Sequence, residues 1–274
     1  RLLIEAVSPG GPVIDLQFSA DGRLLLVSGE RGGPAILDTR TGRWVGRLPV
    51  GAGGARFVGD DHEVVSAGTS LRRWRLPLTL PPQVIDSAGV DGLTAAVPDP
   101  SGKRVAASSG AGQVRMHQLS DGGTEATFTW ANKAVVKRAG FGATEELGVA
   151  VLASDAATHV FDARTGELLR KVTTGNSRRV EVMQGDLVVT ASYGAYVSTF
   201  PLQGGMEPIR INTSGSWLDM ATNPARRQLA VVANAPAGFG LYDVSATAVA
   251  ERYFVEDVAA VAVDLSTDGE RLAI

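Results

Sequence analysis

A double-hairpin unit recurs along this chain, and no other feature restricts its fold as much. In FSADGRLLLVSGERGGPAILDTRTG (Phe18 to Gly42), Asp21-Gly22 is a tight-turn signal between VIDLQF, which alternates apolar and polar, and the more apolar LLLVSG. A Gly-rich loop follows, and then PAILD and RWVGRL flank a second turn at Thr41-Gly42. Four short strands thus fit in about forty residues. The residues that open the second strand, Arg23, Glu63, Lys103, Glu146, Asp186, Gln228 and Glu270, are spaced 40 to 43 apart. Around them stand FSADGRLLLVSG, FVGDDHEVVSAG, VPDPSGKRVAASSG, FGATEELGVAVLAS, VMQGDLVVTAS, NPARRQLAVVAN and LSTDGERLAI. A fixed period of this length marks a repeat architecture, in which each unit is too small to bury its own faces and must stack on its neighbours.

The third strand and its exit recur as AILDTRTG, LRRWRLPL, VRMHQLSDGG, HVFDARTG, YVSTFPLQGG and FGLYDVSAT, six pieces for seven first hairpins. LLIEAV (Leu2 to Val7) has no hairpin partner of its own. LPLTLPPQ (Leu76 to Gln83), with three prolines, is expected to cross irregularly before an outer strand.

The pattern of FSADGRLL, a short loop and AILDTRTG resembles the WD-repeat (β-transducin) β-propellers, with degenerate, bacterial-type repeats. Leu37-Asp38, Phe161-Asp162 and Tyr242-Asp243 stand where that family has Trp-Asp, while Arg75-Leu76, Gln118-Leu119 and Pro201-Leu202 depart from it. No Gly-His pair and no Trp-Asp pair occurs, so apolar packing between sheets, rather than a buried hydrogen-bond relay, is expected to hold each blade. The resemblance implies an all-β, seven-bladed β-propeller of four-stranded antiparallel blades. It also implies that residues 1–274 form one domain, closed by pairing the N-terminal strand with the C-terminal blade. The chain starts at Arg1 and stops inside a second strand, so the domain is expected to come from a longer, multidomain chain.

Composition removes several functions. A net charge of -3, with 26 Lys and Arg spread along the chain, gives no basic stripe for nucleic acid. No apolar run approaches the length of a membrane helix, and a cytoplasmic location is expected. Cysteine is absent, which excludes disulfides and thiolate metal sites. No Gly-x-Ser-x-Gly elbow is present, and Gly51-Ala-Gly53-Gly54 reads as a loop between units rather than a phosphate cradle. Asn212-Thr213-Ser214 matches a glycosylation sequon, which is silent in a bacterial chain.

No catalytic residue, metal ligand or cofactor is assigned. His62 falls in a turn, and His117 and His159 fall on third strands, read as solvated or half-buried. Asp15, Asp219 and Asp264 recur in VIDLQF, WLDMAT and AVDLST, a register that points to a structural task such as bonding loop amides near the channel. Inward carboxylates around an ion, as in a lactonase-like propeller hydrolase, are the competing reading. Contact residues are expected in the loops of the face that joins one blade to the next: Glu30, Arg31, Trp130, Lys133, Arg178, Arg179, Tyr193 and Trp217. Trp, Tyr and Arg carry much of the energy of protein interfaces. Together with the resemblance, these residues imply a non-catalytic scaffold or sensing module in bacterial signalling, with a protein or a linked effector domain as partner.

Overall fold

Second strands in this molecule are buried at nearly every described position, on both faces, and small or apolar residues predominate in them. The structure, a computed structural model, describes residues 5–8, 11–49, 54–59, 62–87, 92–99, 101–129, 136–141, 149–153, 157–162, 164–175, 177–183, 187–192, 196–202, 207–212, 217–223, 227–234, 237–245 and 248–274. Among these there are strands and turns but no helix, and therefore no helix long and apolar enough to cross a membrane.

The first sheet holds β1 (Val13–Phe18), β2 (Leu24–Gly29), β3 (Ala35–Asp38) and β4 (Arg43–Arg47). The second holds β5 (Ala55–Val58), β6 (Glu63–Ser66), β7 (Ser70–Arg75) and β8 (Gln83–Ser87). The third holds β9 (Leu93–Pro98), β10 (Arg104–Ser109), β11 (Gln113–Gln118) and β12 (Thr124–Thr129). The fourth holds β13 (Val136–Phe141), β14 (Val149–Ala153), β15 (Ala157–Phe161) and β16 (Leu168–Thr173). The fifth holds β17 (Ser177–Met183), β18 (Leu187–Ser192), β19 (Tyr196–Pro201) and β20 (Ile209–Asn212). The sixth holds β21 (Trp217–Asn223), β22 (Gln228–Asn234), β23 (Ala237–Val244) and β24 (Val249–Glu256). A two-stranded sheet of β25 (Asp264–Leu265) and β26 (Leu272–Ala273) follows. Each sheet is an antiparallel meander in chain order.

The first strands meet in succession, β1 against β5, β5 against β9, β9 against β13, β13 against β17, β17 against β21, and β21 against β25. β25 also lies against β1. Phe18 N–H donates to Asp264 Oδ2 at 2.5 Å, and Thr267 Oγ1 donates to Ala20 O at 2.7 Å. First strands are thus innermost, while β4, β16 and β24 present mostly exposed residues at the rim. The arrangement is a β-propeller of four-stranded antiparallel blades.

Packing follows the two-residue period of the strand. On β22, Leu229, Val231 and Ala233 pack with Met183, Leu187 and Val189 of the fifth sheet, whereas Ala230 and Val232 pack with Val263 beside the last sheet. Leu26 and Ile36 of the first sheet likewise meet Phe57, Val64 and Trp74 of the second. Burying a Val or Leu is worth about 1.5–3 kcal/mol, so these shared interfaces supply what a lone blade lacks.

Turn chemistry repeats with the packing. Ser19 Oγ accepts from Leu24 N–H at 2.8 Å while Asp21 accepts from Arg23 N–H at 2.9 Å. Ser266 and Asp268 do the same for Arg271 and Glu270, both at 2.9 Å. Gly22 and Gly269 take φ of 68° and 66°, which glycine adopts without strain. Asp38 and Asp162 cap a second kind of turn. Asp38 Oδ1 accepts from the amides of Arg40 and Thr41, and Asp162 Oδ1 from those of Arg164 and Thr165.

Leu76 to Pro82 crosses without regular structure before β8, as its prolines require. Among the described residues the last sheet has the two strands that the seventh hairpin pattern gave, short of the four of a complete blade. No strand runs through Glu5–Val7, and Leu2–Ile4 lie outside the described residues, so the expected N-terminal pairing is not seen among the described ones.

Candidate functional site in the central channel

Where the first strands converge, register decides which side chains share a level. Six of the seven first hairpins, all but that of the fourth sheet, close on Ser19, Val58, Asp99, Met183, Asn223 and Ser266. Counting four residues back from these gives Asp15, Gly54, Ala95, Arg179, Asp219 and Ala262. Counting two back gives Gln17, Arg56, Val97, Glu181, Ala221 and Asp264. Asp15 and Asp219 therefore share a level, as the sequence pattern implied. Asp264 does not, and belongs to the level nearer the turns between first and second strands.

At the outer level Arg179 bridges two carboxylates. Its Nη2 donates to Asp15 Oδ1 at 2.6 Å and its Nε donates to Asp219 Oδ1. The other Asp219 oxygen accepts from Val263 N–H at 3.1 Å. Arg56 joins from the second sheet, with Nη1 donating to Asp15 Oδ2 and to Ala55 O, and Nη2 to Asp15 Oδ1 at 3.3 Å. Asp15, Arg179 and Asp219 are 3–5% exposed, so these charges are held by one another rather than by water. Burial opposes the charge on Arg179, but Asp15 and Asp219 outweigh it and raise its pKa well above the ordinary value. Arg56 is raised in the same balance between burial and Asp15.

The inner level is differently charged. Glu181 and Asp264 are half-buried at the channel wall. Burial pushes the Glu181 carboxyl up against the attraction of Arg179 and Arg56. Burial also pushes Asp264 up to about 8, opposed by the Phe18 amide and Arg56 and helped by Glu181. A cavity of about 350 Å³ occupies this level, and Arg56, Glu181 and Asp264 line it. It extends past Ala20, Gly59, Asp99 and Thr267, the rim that carries the turns between first and second strands. That rim is opposite the face on which contact residues were expected.

Sequence reasoning placed Arg179 in an exposed contact loop. The structure instead puts it in β17, buried, with its guanidinium consumed by Asp15 and Asp219. Arg178 is the bulged residue beside it in β17, and Trp217 opens β21. Glu30 and Arg31 are exposed in the bend after β2. Trp130, Lys133 and Tyr193 lie outside the described residues. Arg56 and Glu181 were not singled out from sequence, although their place in the hairpin count was available to find them.

His117 and His159 are buried, at 1% and 4% exposure, rather than solvated. His117 Nε2 lies 3.3 Å from Asp86 Oδ2 of the neighbouring sheet, and burial lowers its pKa against that carboxylate's pull. Among the described residues no group of three or more His, Asp or Glu is placed to hold a metal ion. The chain matches no protein-family model and no curated protein.

Proposed function

We propose that this domain is a non-catalytic interaction and sensing module, a WD-repeat-like propeller of seven blades that presents loop residues to a protein partner or to a linked effector domain. The position of the β25–β26 sheet between the first and sixth sheets supports the seventh blade. A bacterial signalling protein of the cytoplasm is the setting that fits the sequence pattern.

One observation carries the preference for binding over hydrolysis. Asp15 and Asp219, the inward carboxylates that a lactonase-like site would turn toward an ion, are engaged by Arg179 and Arg56. Their charge is spent on holding sheets together, and a rigid ring with exposed loops is what a binding module requires.

Because Arg179 is buried, the contact face is tested at Glu30 and Arg31. The charge-swapped double variant Glu30→Arg with Arg31→Glu keeps net charge. It is expected to lose the proteins that the wild-type domain cross-links in its native extract, with thermal stability changed by no more than about 0.5 kcal/mol. An identical cross-linked set at equal stability would remove Glu30 and Arg31 from the contact face.

A further inference from the structure

We propose that the channel cavity is a binding site for a small zwitterion of the free α-amino-acid class, with the ligand carboxylate on Arg56 and its ammonium group between Glu181 and Asp264. This goes beyond the protein-contact reading and uses the opposite end of the channel.

The first observation is the cavity's position in the channel. The Arg179 bridge between Asp15 and Asp219 spans the outer level, and the cavity of about 350 Å³ lies at the inner level and continues to the first-to-second-strand rim. That volume is at the small end of ligand pockets, suited to a compact molecule.

The second is unspent hydrogen-bonding capacity of both signs. Arg56 meets Asp15 end-on through Nη1 and Nη2, and its Nε has no partner among the described residues. The Nε and Nη2 side of a guanidinium is a fork that matches a carboxylate. Glu181 accepts no hydrogen bond among the described residues, and Asp264 accepts from the Phe18 amide through Oδ2. Two carboxyl groups and one guanidinium therefore line one cavity, while among the described residues Arg179, Asp15 and Asp219 are matched with one another.

The third is the coupling between these groups. Burial raises the pKa of both Glu181 and Asp264, Glu181 raises that of Asp264 further, and Arg56 opposes both shifts. An ammonium group placed between the carboxyls relieves that repulsion and releases a proton on binding near neutral pH. A purely anionic ligand would meet two carboxyls, and a purely cationic one would leave the Arg56 edge unused.

The test is thermal unfolding and titration calorimetry with three probes: L-alanine, L-alanine methyl ester, which keeps only the ammonium, and N-acetyl-L-alanine, which keeps only the carboxylate. At about ten times its Kd, L-alanine is expected to raise Tm by about 3 °C. It is also expected to release a proton at pH 7, read as a heat that depends on the buffer. Both half-ligands are expected to bind at least about tenfold more weakly, as a lost charge-assisted bond requires. Glu181→Gln, nearly isosteric and free of the cost of a buried charge, is expected to unfold without ligand at a Tm no lower than wild type and to lose the L-alanine response. An equal response to the methyl ester, an unchanged response in Glu181→Gln, or no response to L-alanine at about 50 mM each overturns the proposal, since a specific site saturates well below that. None of these results bears on the Glu30 and Arg31 cross-linking test.

Discussion

Arg179 and Asp15 are 164 residues apart in the chain, yet Arg179 Nη2 donates to Asp15 Oδ1 at 2.6 Å inside the channel. The pair ties the first strand of the fifth sheet to that of the first, and Asp219 ties in the sixth. Removing one partner from a buried ion network is more damaging than never having had it, because charges are left without compensation. Arg179→Met is therefore expected to destabilise the domain by about 3–5 kcal/mol, despite its similar volume. Arg179→Lys keeps the charge but lacks the fork that reaches two carboxylates, and is expected to fall between. Urea unfolding checks both. A loss below about 1 kcal/mol for Arg179→Met would place the network at the worth of a surface ion pair.

The raised pKa of Asp264 makes stability depend on pH in a definite direction. Its carboxyl titrates near 8 in the folded protein against an unfolded value near 3.8, so the folded state binds the extra proton between these limits. Its contribution is complete below about pH 4 and is lost as pH rises toward 8. Glu181 shifts the same way, while the Phe18 amide and Arg56 oppose the Asp264 shift. Asp264→Asn, which cannot ionise, is expected to unfold with a flatter pH profile over this window and to gain stability relative to wild type as pH rises. The double variant with Glu181→Gln is expected to be flatter still. Parallel wild-type and Asp264→Asn profiles from pH 5 to 8 would contradict the assignment.

How much of this was legible in the sequence depends on whether a residue answers to its own blade or to a distant one. Ser19-x-Asp21-Gly22 and Ser266-x-Asp268-Gly269 were readable because their hydrogen bonds close within five residues. Strand periodicity was readable for the same reason, since each sheet is a local meander. Arg179 was misplaced because its partners are 40 and 164 residues away, and a charged residue near a strand start ordinarily reads as a loop. The three aspartates looked alike in VIDLQF, WLDMAT and AVDLST. Only counting back from the closing residues Ser19, Asn223 and Ser266 separates Asp264 from the other two. Burial of His117 depends on Asp86 in a neighbouring sheet, which no local pattern reports.

The turns at Gly59 and Gly102 bring the second and third blades together backbone on backbone, and this sets a last prediction. Gly102, at φ 69° in the turn before β10, faces Gly59, and a Cβ built on Gly102 would stand 2.8 Å from Gly59 Cα and 3.0 Å from Gly59 N. Neither atom belongs to a flexible side chain, so a methyl group there must push two turns apart. Gly11 has φ 78° with nothing within 4 Å of an added Cβ. Both substitutions to Ala carry the left-handed backbone cost of about 1–2 kcal/mol, but only Gly102→Ala adds the clash. It is expected to lose at least about 1 kcal/mol more than Gly11→Ala, the lower end of what overpacking costs. The difference should appear as a lower urea midpoint at unchanged m-value, because the clash acts on the folded state alone. Equal midpoints for the two variants would mean that the turns at Gly59 and Gly102 separate freely, and that the interface between these blades rests on side chains such as Val58, Val65 and Val105.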